Sequence, residues 1–146
     1  MSNTAKIKLA PQIKMWCEWH LINFRKYKKD IASYKVDMIP SAIANYGISP
    51  RGNGAFTRTT EQTTLHILAD RYVVETQVVI DSVEFVLNQL EPDDRELLEM
   101  VYLNPNNRFT PEGAAIQLCM SKSTAYRRIN NALAFLAMTL GYIPVA

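Results

Sequence analysis

The chain has 146 residues, 48% hydrophobic and 21% charged, with a net charge of +2 at pH 7. That is enough apolar material for one compact domain or two small helical lobes. With no charged-then-apolar leader and no apolar run long enough to span a bilayer, neither a secreted nor a membrane protein is expected. Two cysteines, Cys17 and Cys119, are too few for a disulfide framework, and a reduced cytoplasmic setting is expected.

Residues from about Ala10 to Tyr34 predict a first long helix. Ile13, Trp16, His20, Phe24, Tyr27, Ile31 and Tyr34 recur at three and four, and Lys14, Arg25, Lys26, Lys28 and Lys29 occupy the opposite face. Pro40, Gly47 and Pro50 break up the next stretch of chain. Ser49 to Thr64 reads as a loop: glycines, hydroxyls, Arg51 and Arg58, and no apolar period. It is the candidate linker or basic arm, and its two arginines can neutralise phosphates.

A second long helix is predicted from about Glu61 to Leu90. Leu65, Leu68, Tyr72, Thr76, Val79, Val83, Val86 and Leu90 keep the helical rhythm, and the β-branched run VETQVVIDSVEFV fails the alternation a strand requires. The two long stripes are expected to pair as an antiparallel hairpin, within one chain or across a dimer. A third helix opens at EPDDRELL, with Pro92 near its first position, acids in its first turn and Leu97, Leu98 and Val101 inward. The prediction is an all-α fold divided into a basic N-terminal helix and loop (1–60), a long acidic helix (61–90) and a C-terminal module (91–146).

Charge tracks this division. Up to Thr60 ten basic residues oppose three acids, a net +7; from Glu61 to Glu112 three arginines oppose eleven acids, a net −8. Beyond Glu112 stand Lys122, Arg127 and Arg128 with no acid at all. Such segmentation suits separate contact surfaces on an acidic helical body rather than uniform coating of a polyanion.

The stretch from Thr110 to Gly141 predicts a short helix, a three-residue turn and a longer helix. Thr110 is the cap of the first, Pro111 its first residue and Glu112 a carboxylate in its first turn. Ala115, Ile116 and Leu118 supply its packing face. Ser121 caps the second, along which Tyr126, Ile129, Leu133, Leu136 and Leu140 form the stripe, and Gly141 supplies a left-handed stop. Outside the stripe lie Lys122, Ser123, Thr124, Arg127 and Arg128. Two amphipathic helices and a short turn make a helical hairpin whether or not nucleic acid is bound. Adjacent arginines, a lysine and hydroxyls on the exposed nose are the groups that contact phosphates and base edges, and they favour a helix-turn-helix.

Other chemistry is less well supplied. Cys17 and His20 are one helical turn apart, but a zinc site needs about four ligands and only His66 and Cys119 remain, so both are expected to be structural and no metal is expected. The carboxylates of Glu91–Glu99 are explained by an acidic first turn. Trp16 and Trp19 sit on the first helix, where core or partner contact outweighs base stacking. No P-loop, nucleotide-binding glycine pattern, nucleophile elbow or HExxH is present, so no enzyme and no cofactor is predicted.

The strings LEPDDRELLEMVYL and FTPEGAAIQLCMSKSTAYRRINNALAFLAMTLG resemble the C-terminal domain of small phage late-gene transcriptional activators of the RinA and ArpU type. The helix-turn-helix of that domain is similar to the sigma-factor domain that reads the −35 promoter element. The likeness covers about Leu90–Tyr142, with SKSTAYRRIN its most specific string, and more loosely the Gly/Arg/Thr segment at Arg51–Glu61. Two departures stand out: Gly113 lies within the short helix, and Cys119 stands in the turn where glycine is often found. The resemblance implies a DNA-binding activator of late operons (packaging, morphogenesis, lysis) acting with host RNA polymerase in the bacterial cytoplasm, with Ser121, Lys122, Ser123, Thr124, Arg127 and Arg128 at the DNA face. Double-stranded DNA, polymerase and a second copy, as a homodimer, are the expected partners. Two alternatives share the sequence features: a small-terminase-like subunit that recognises DNA for packaging, and a polymerase-binding adapter with little DNA contact.

Overall fold

The computed structural model describes residues 8–34 and 54–143. Among them the secondary structure is helical, with no strand: α1 (Pro11–Ile22), α2 (24–34), α3 (Gly54–Gln89), α4 (Pro92–Leu98) running into a π-helical turn (Glu99–Leu103), α5 (Pro111–Gln117) and α6 (Lys122–Thr139). The all-α expectation holds. No described helix is long and apolar enough to cross a membrane.

Two differences from the expected helices have local causes. The single helix expected from Ala10 to Tyr34 is broken at Asn23, which leaves helical geometry with φ −95° and ψ 5°. Both its backbone N–H and its side-chain amide donate to the Trp19 carbonyl, at 3.0 and 2.9 Å. Asparagine offers this local competition with the helical ladder, and it ends α1. The loop expected over Ser49–Thr64 is instead helical from Gly54 onward. Glycine and threonine are weak helix formers by only about 1 kcal/mol each, a deficit that propagation from a long downstream helix can carry. Arg51 lies outside the described residues, and Arg58 falls in α3, where its backbone alone is described.

The chain divides into two compact units. The first comprises residues 1–25 and 79–146. Helix α6 is its centre and touches α1, α4 and α5; α1 also packs on the π turn. Leu21, Val83, Val86, Leu97, Leu98, Leu133 and Leu136 are the largest of its almost wholly covered side chains. The N-terminal helix α1, grouped by sequence with the basic loop, thus packs against the C-terminal module. Its buried residues are Cys17 and Leu21 rather than the expected Trp16 and His20, whereas Phe24, also on the expected stripe, is buried at the start of α2. Trp16 and His20 edge that contact and meet Tyr142, just after α6: Trp16 edge-on at 5.7 Å between ring centres, His20 through Nε2 at 2.8 Å from the hydroxyl. Cys17 and His20 are therefore parts of the core and its rim, and burial raises the Cys17 thiol pKa to about 11.

The π turn solves a patterning problem. Val101, Tyr102 and Leu103 are consecutive and all buried, which an α-helix cannot place on one face. Widening the turn, with the Asn104 N–H reaching back five residues to Glu99, turns all three inward. Carbonyls near the distortion find new partners: Phe109 N–H donates to Met100 at 2.9 Å, and Arg108 Nε to Val101 at 3.0 Å. The Tyr102 hydroxyl donates to Glu18 of α1 at 2.8 Å, and burial, then that bond, pushes its pKa well up. Arg95 Nε donates to the Leu87 carbonyl near the end of α3 at 2.9 Å, holding the tight α3–α4 corner.

The second unit, residues 26–78, contains most of α2 and the N-terminal part of α3. Ile31 and Thr76 are buried in it, whereas Leu65, Ile67, Leu68, Tyr72, Val74 and Val78 are exposed.

His20 gives the fold a pH dependence. Desolvation lowers its pKa below the ordinary value of 6.5, so the folded protein holds the ring neutral. As pH falls, the unfolded chain protonates first. The stability carried by neutral His20 is present above the unfolded pKa and is lost as pH falls through the folded one. Thermal melting should therefore shift down between about pH 7 and about pH 5, and His20→Gln should flatten that slope. A slope unchanged by the substitution would remove His20 as its source.

Candidate nucleic-acid interface

The tail is built by local chemistry. Thr110 Oγ1 accepts from the Gly113 N–H at 3.0 Å and caps α5, with Pro111 at its first position and Glu112 in its first turn. Ala114 and Ala115 are the buried residues of α5; Ile116, expected to pack, is 76% exposed. These small side chains let α5 sit close on α6. Gly113 is also placed against the cap, since a Cβ there would lie 3.2 Å from Thr110 Oγ1.

α5 ends in a Schellman motif. Cys119 N–H donates to Ile116 at 3.3 Å and Met120 N–H to Ala115 at 3.0 Å, with Cys119 at φ 56°. It is the one non-glycine residue at positive φ among those described. α6 ends the same way, Gly141 N–H donating to Met138 and Tyr142 N–H to Ala137, with φ 80° at Gly141. The same closure thus uses the expected residue at one helix end and a cysteine at the other. A left-handed side-chain residue costs about 1–2 kcal/mol, partly offset by the greater unfolded-state freedom of glycine. Cys119→Gly is expected to stabilise the protein by about 0.5–1 kcal/mol in urea unfolding, and Cys119→Ala not at all. Equal effects of the two would show that backbone strain at 119 is not the cause.

Ser121 Oγ then accepts from the Thr124 N–H at 3.1 Å and donates to Thr124 Oγ1 at 2.7 Å, fixing the first turn of α6. Ala125, Ile129, Ala132, Leu133, Leu136 and Ala137 turn inward. Tyr126, expected on the inward stripe, is half-buried, and its hydroxyl donates to Glu112 of α5. That bond, more than any other cause, lowers the Glu112 pKa, so the carboxylate stays ionised and also faces Lys122 Nζ at 3.6 Å. The contact ties the two helices at the end where the polar nose begins.

The structure sorts the six tail residues expected at the interface. Lys122, Ser123 and Arg127 are exposed; Ser121 and Thr124 spend their hydroxyls on the cap. Arg128 turns back to α4, where Nη1 lies 3.2 Å from Asp94 with both side chains largely covered. It orients α6 rather than facing outward. Arg127 has no acidic partner among the described residues. Two residues not expected at this face join it: Asn130 and Asn131, both exposed and three and four residues beyond Arg127. That spacing on a predicted helix was the available signal. Ser123, Arg127, Asn130 and Asn131 thus share one outward face with no acid on α6. Arginine can donate twice to a guanine edge, and an asparagine amide can pair with adenine N6 and N7. Of the other two arginines expected to contact DNA, Arg51 lies outside the described residues and the Arg58 side chain is not described.

Among the described residues no three His, Cys, Asp or Glu side chains converge as a metal site would require. Neither a family model, nor a curated protein, nor a solved structure matches the chain.

Proposed function

We propose that the protein is a sequence-specific DNA-binding transcription regulator and that α6 is its reading helix. The observation that carries this reading is the outward face of α6: Ser123, Arg127, Asn130 and Asn131, on a helix that has no acid of its own, with Lys122 beside them facing Glu112, and held by the Ser121 cap, the Tyr126–Glu112 bond and the Arg128–Asp94 pair. A capped helix with base-reading side chains in its first turns, preceded by a short helix and a tight turn, is the geometry of a helix-turn-helix. The resemblance of residues 90–142 to phage late-gene activators extends the proposal to activation of late operons alongside host RNA polymerase, with the acidic helices offering polymerase a surface. A dimer is part of it, because one short helix covers only a few base pairs.

Selection of bound sites from a pool of random duplexes, and then footprinting with and without polymerase, tests the function. The expected result is one enriched motif upstream of a structural-gene operon, with polymerase recruited beside it. A motif confined to a packaging locus and bound by a ring favours the terminase-like subunit. A protein that binds polymerase yet enriches no motif is the adapter.

A further inference from the structure

Helix α6 has no acid of its own, but α5 sets one at the edge of its first turn. Glu112 accepts the Tyr126 hydroxyl, and its Oε1 lies 3.6 Å from Lys122 Nζ, with 42% of the glutamate side chain and 68% of the lysine exposed. Lys122 is the first residue of α6 and precedes Ser123, so its ammonium stands beside the groups that the DNA-reading proposal sets against bases. A surface glutamate and lysine alone hold each other weakly. Here the carboxylate is fixed by a half-buried phenol one turn along α6 from the lysine, a charge-assisted bond of the stronger kind. The three cations of α6 are thus in three different states. Arg128 is turned to Asp94, Lys122 is set against Glu112, and Arg127 has no acidic partner among the described residues.

We propose that Glu112 is a specificity-determining residue: it withholds the Lys122 charge from DNA phosphates and so suppresses binding that ignores sequence. The inference rests on α6 being the reading helix. Sequence-independent affinity comes almost wholly from cations that displace counterions from phosphates, whereas base contacts carry the sequence preference. A carboxylate fixed beside an ammonium approaches the same phosphates and cancels most of its attraction. The short-range hydrogen bonds of Arg127, Asn130 and Asn131 to base edges are left as they are. On the selected duplex those contacts dictate where α6 sits, and Lys122 has little freedom to seek a phosphate. On any other duplex nothing dictates the seat, and the helix settles where its cations meet phosphates best. Cancelling Lys122 therefore costs the wrong sites more than the right one, which is discrimination by a repulsive element.

Salt titrations of the full chain, with the selected duplex and with a random-sequence duplex of equal length, test it. Glu112→Gln keeps an oxygen that can accept from Tyr126 and removes only the charge, so helicity by circular dichroism should be unchanged. It should tighten binding to the random duplex by at least about threefold at low salt and steepen the log–log salt slope by about 0.9, the contribution of one phosphate contact. The selected duplex should tighten less, so the ratio of the two affinities falls. Lys122→Ala should move the slope little in the wild-type background and should abolish the gain in the Glu112→Gln background, which loss of a merely structural contact would not do. Glu96→Gln, the same charge change on α4, should leave the slope unaltered. An unchanged slope in Glu112→Gln, a gain that survives in the double variant, a full 0.9 loss in Lys122→Ala alone, or equal steepening in Glu96→Gln each overturns the inference while selective wild-type binding leaves the DNA-reading proposal standing. A wild type that binds neither duplex overturns both.

Discussion

Arg127→Ala is expected to weaken binding to the selected duplex by ~1–3 kcal/mol, the discrimination one well-placed base contact provides. Arg127 is exposed in the second turn of α6 and has no acidic partner among the described residues, so its guanidinium reaches DNA without first leaving an ion pair. Arg128→Ala is the informative companion. Its guanidinium is held 3.2 Å from Asp94, and the substitution should cost stability of up to about 1 kcal/mol as a partly exposed ion pair does, with a smaller effect on specific affinity. Asn131→Ala should fall between the two and relax preference at one base position. Titration by fluorescence anisotropy at fixed salt measures all three. Loss of binding in Arg128→Ala with Arg127→Ala unaffected would reverse the assignment of the outward face.

The largest effect on stability is expected at Leu133. It is wholly buried on α6, the helix that α1, α4 and α5 all contact. Leu133→Ala removes several methylene and methyl groups and leaves a cavity between elements distant in sequence, which costs about 2–5 kcal/mol. Ile116→Ala, at 76% exposure on the neighbouring short helix, should stay within about 0.5 kcal/mol. Urea unfolding measures the pair. Equal costs at the two positions would mean that α6 does not form the centre of the core.

Features decided by neighbours in sequence were legible in the sequence. Thr110, Pro111, Ser121 and Gly141 act within a few residues of themselves, and each takes the capping or terminating place its chemistry suggests. The helical spacing of α3 also outweighed its β-branched composition. Long-range partners were not legible. Arg128 has the chemistry of a DNA contact, and only the fold brings Asp94, thirty-four residues away, beside it. Ile116 has the hydropathy of a core residue, but hydropathy does not say which face of a short helix finds a neighbour; two alanines took that place. The π turn was hidden for another reason: three consecutive inward residues fit no regular period, so VYL in isolation predicts nothing. Local chemistry was missed at Asn23, which ends α1, and Cys119 is a residue type that seldom marks the left-handed position, although its place between two helices marked the turn itself.

The central claim, that the outward face of α6 reads DNA, is tested most directly by monitoring backbone amide resonances of the full chain as the selected duplex is added. Perturbations are expected to concentrate from Ser121 to Asn131, to be strongest at Ser123, Arg127, Asn130 and Asn131, and to be reduced by Arg127→Ala. Saturable binding that perturbs α1 or α2 and leaves the amides of 121–131 unmoved would contradict it.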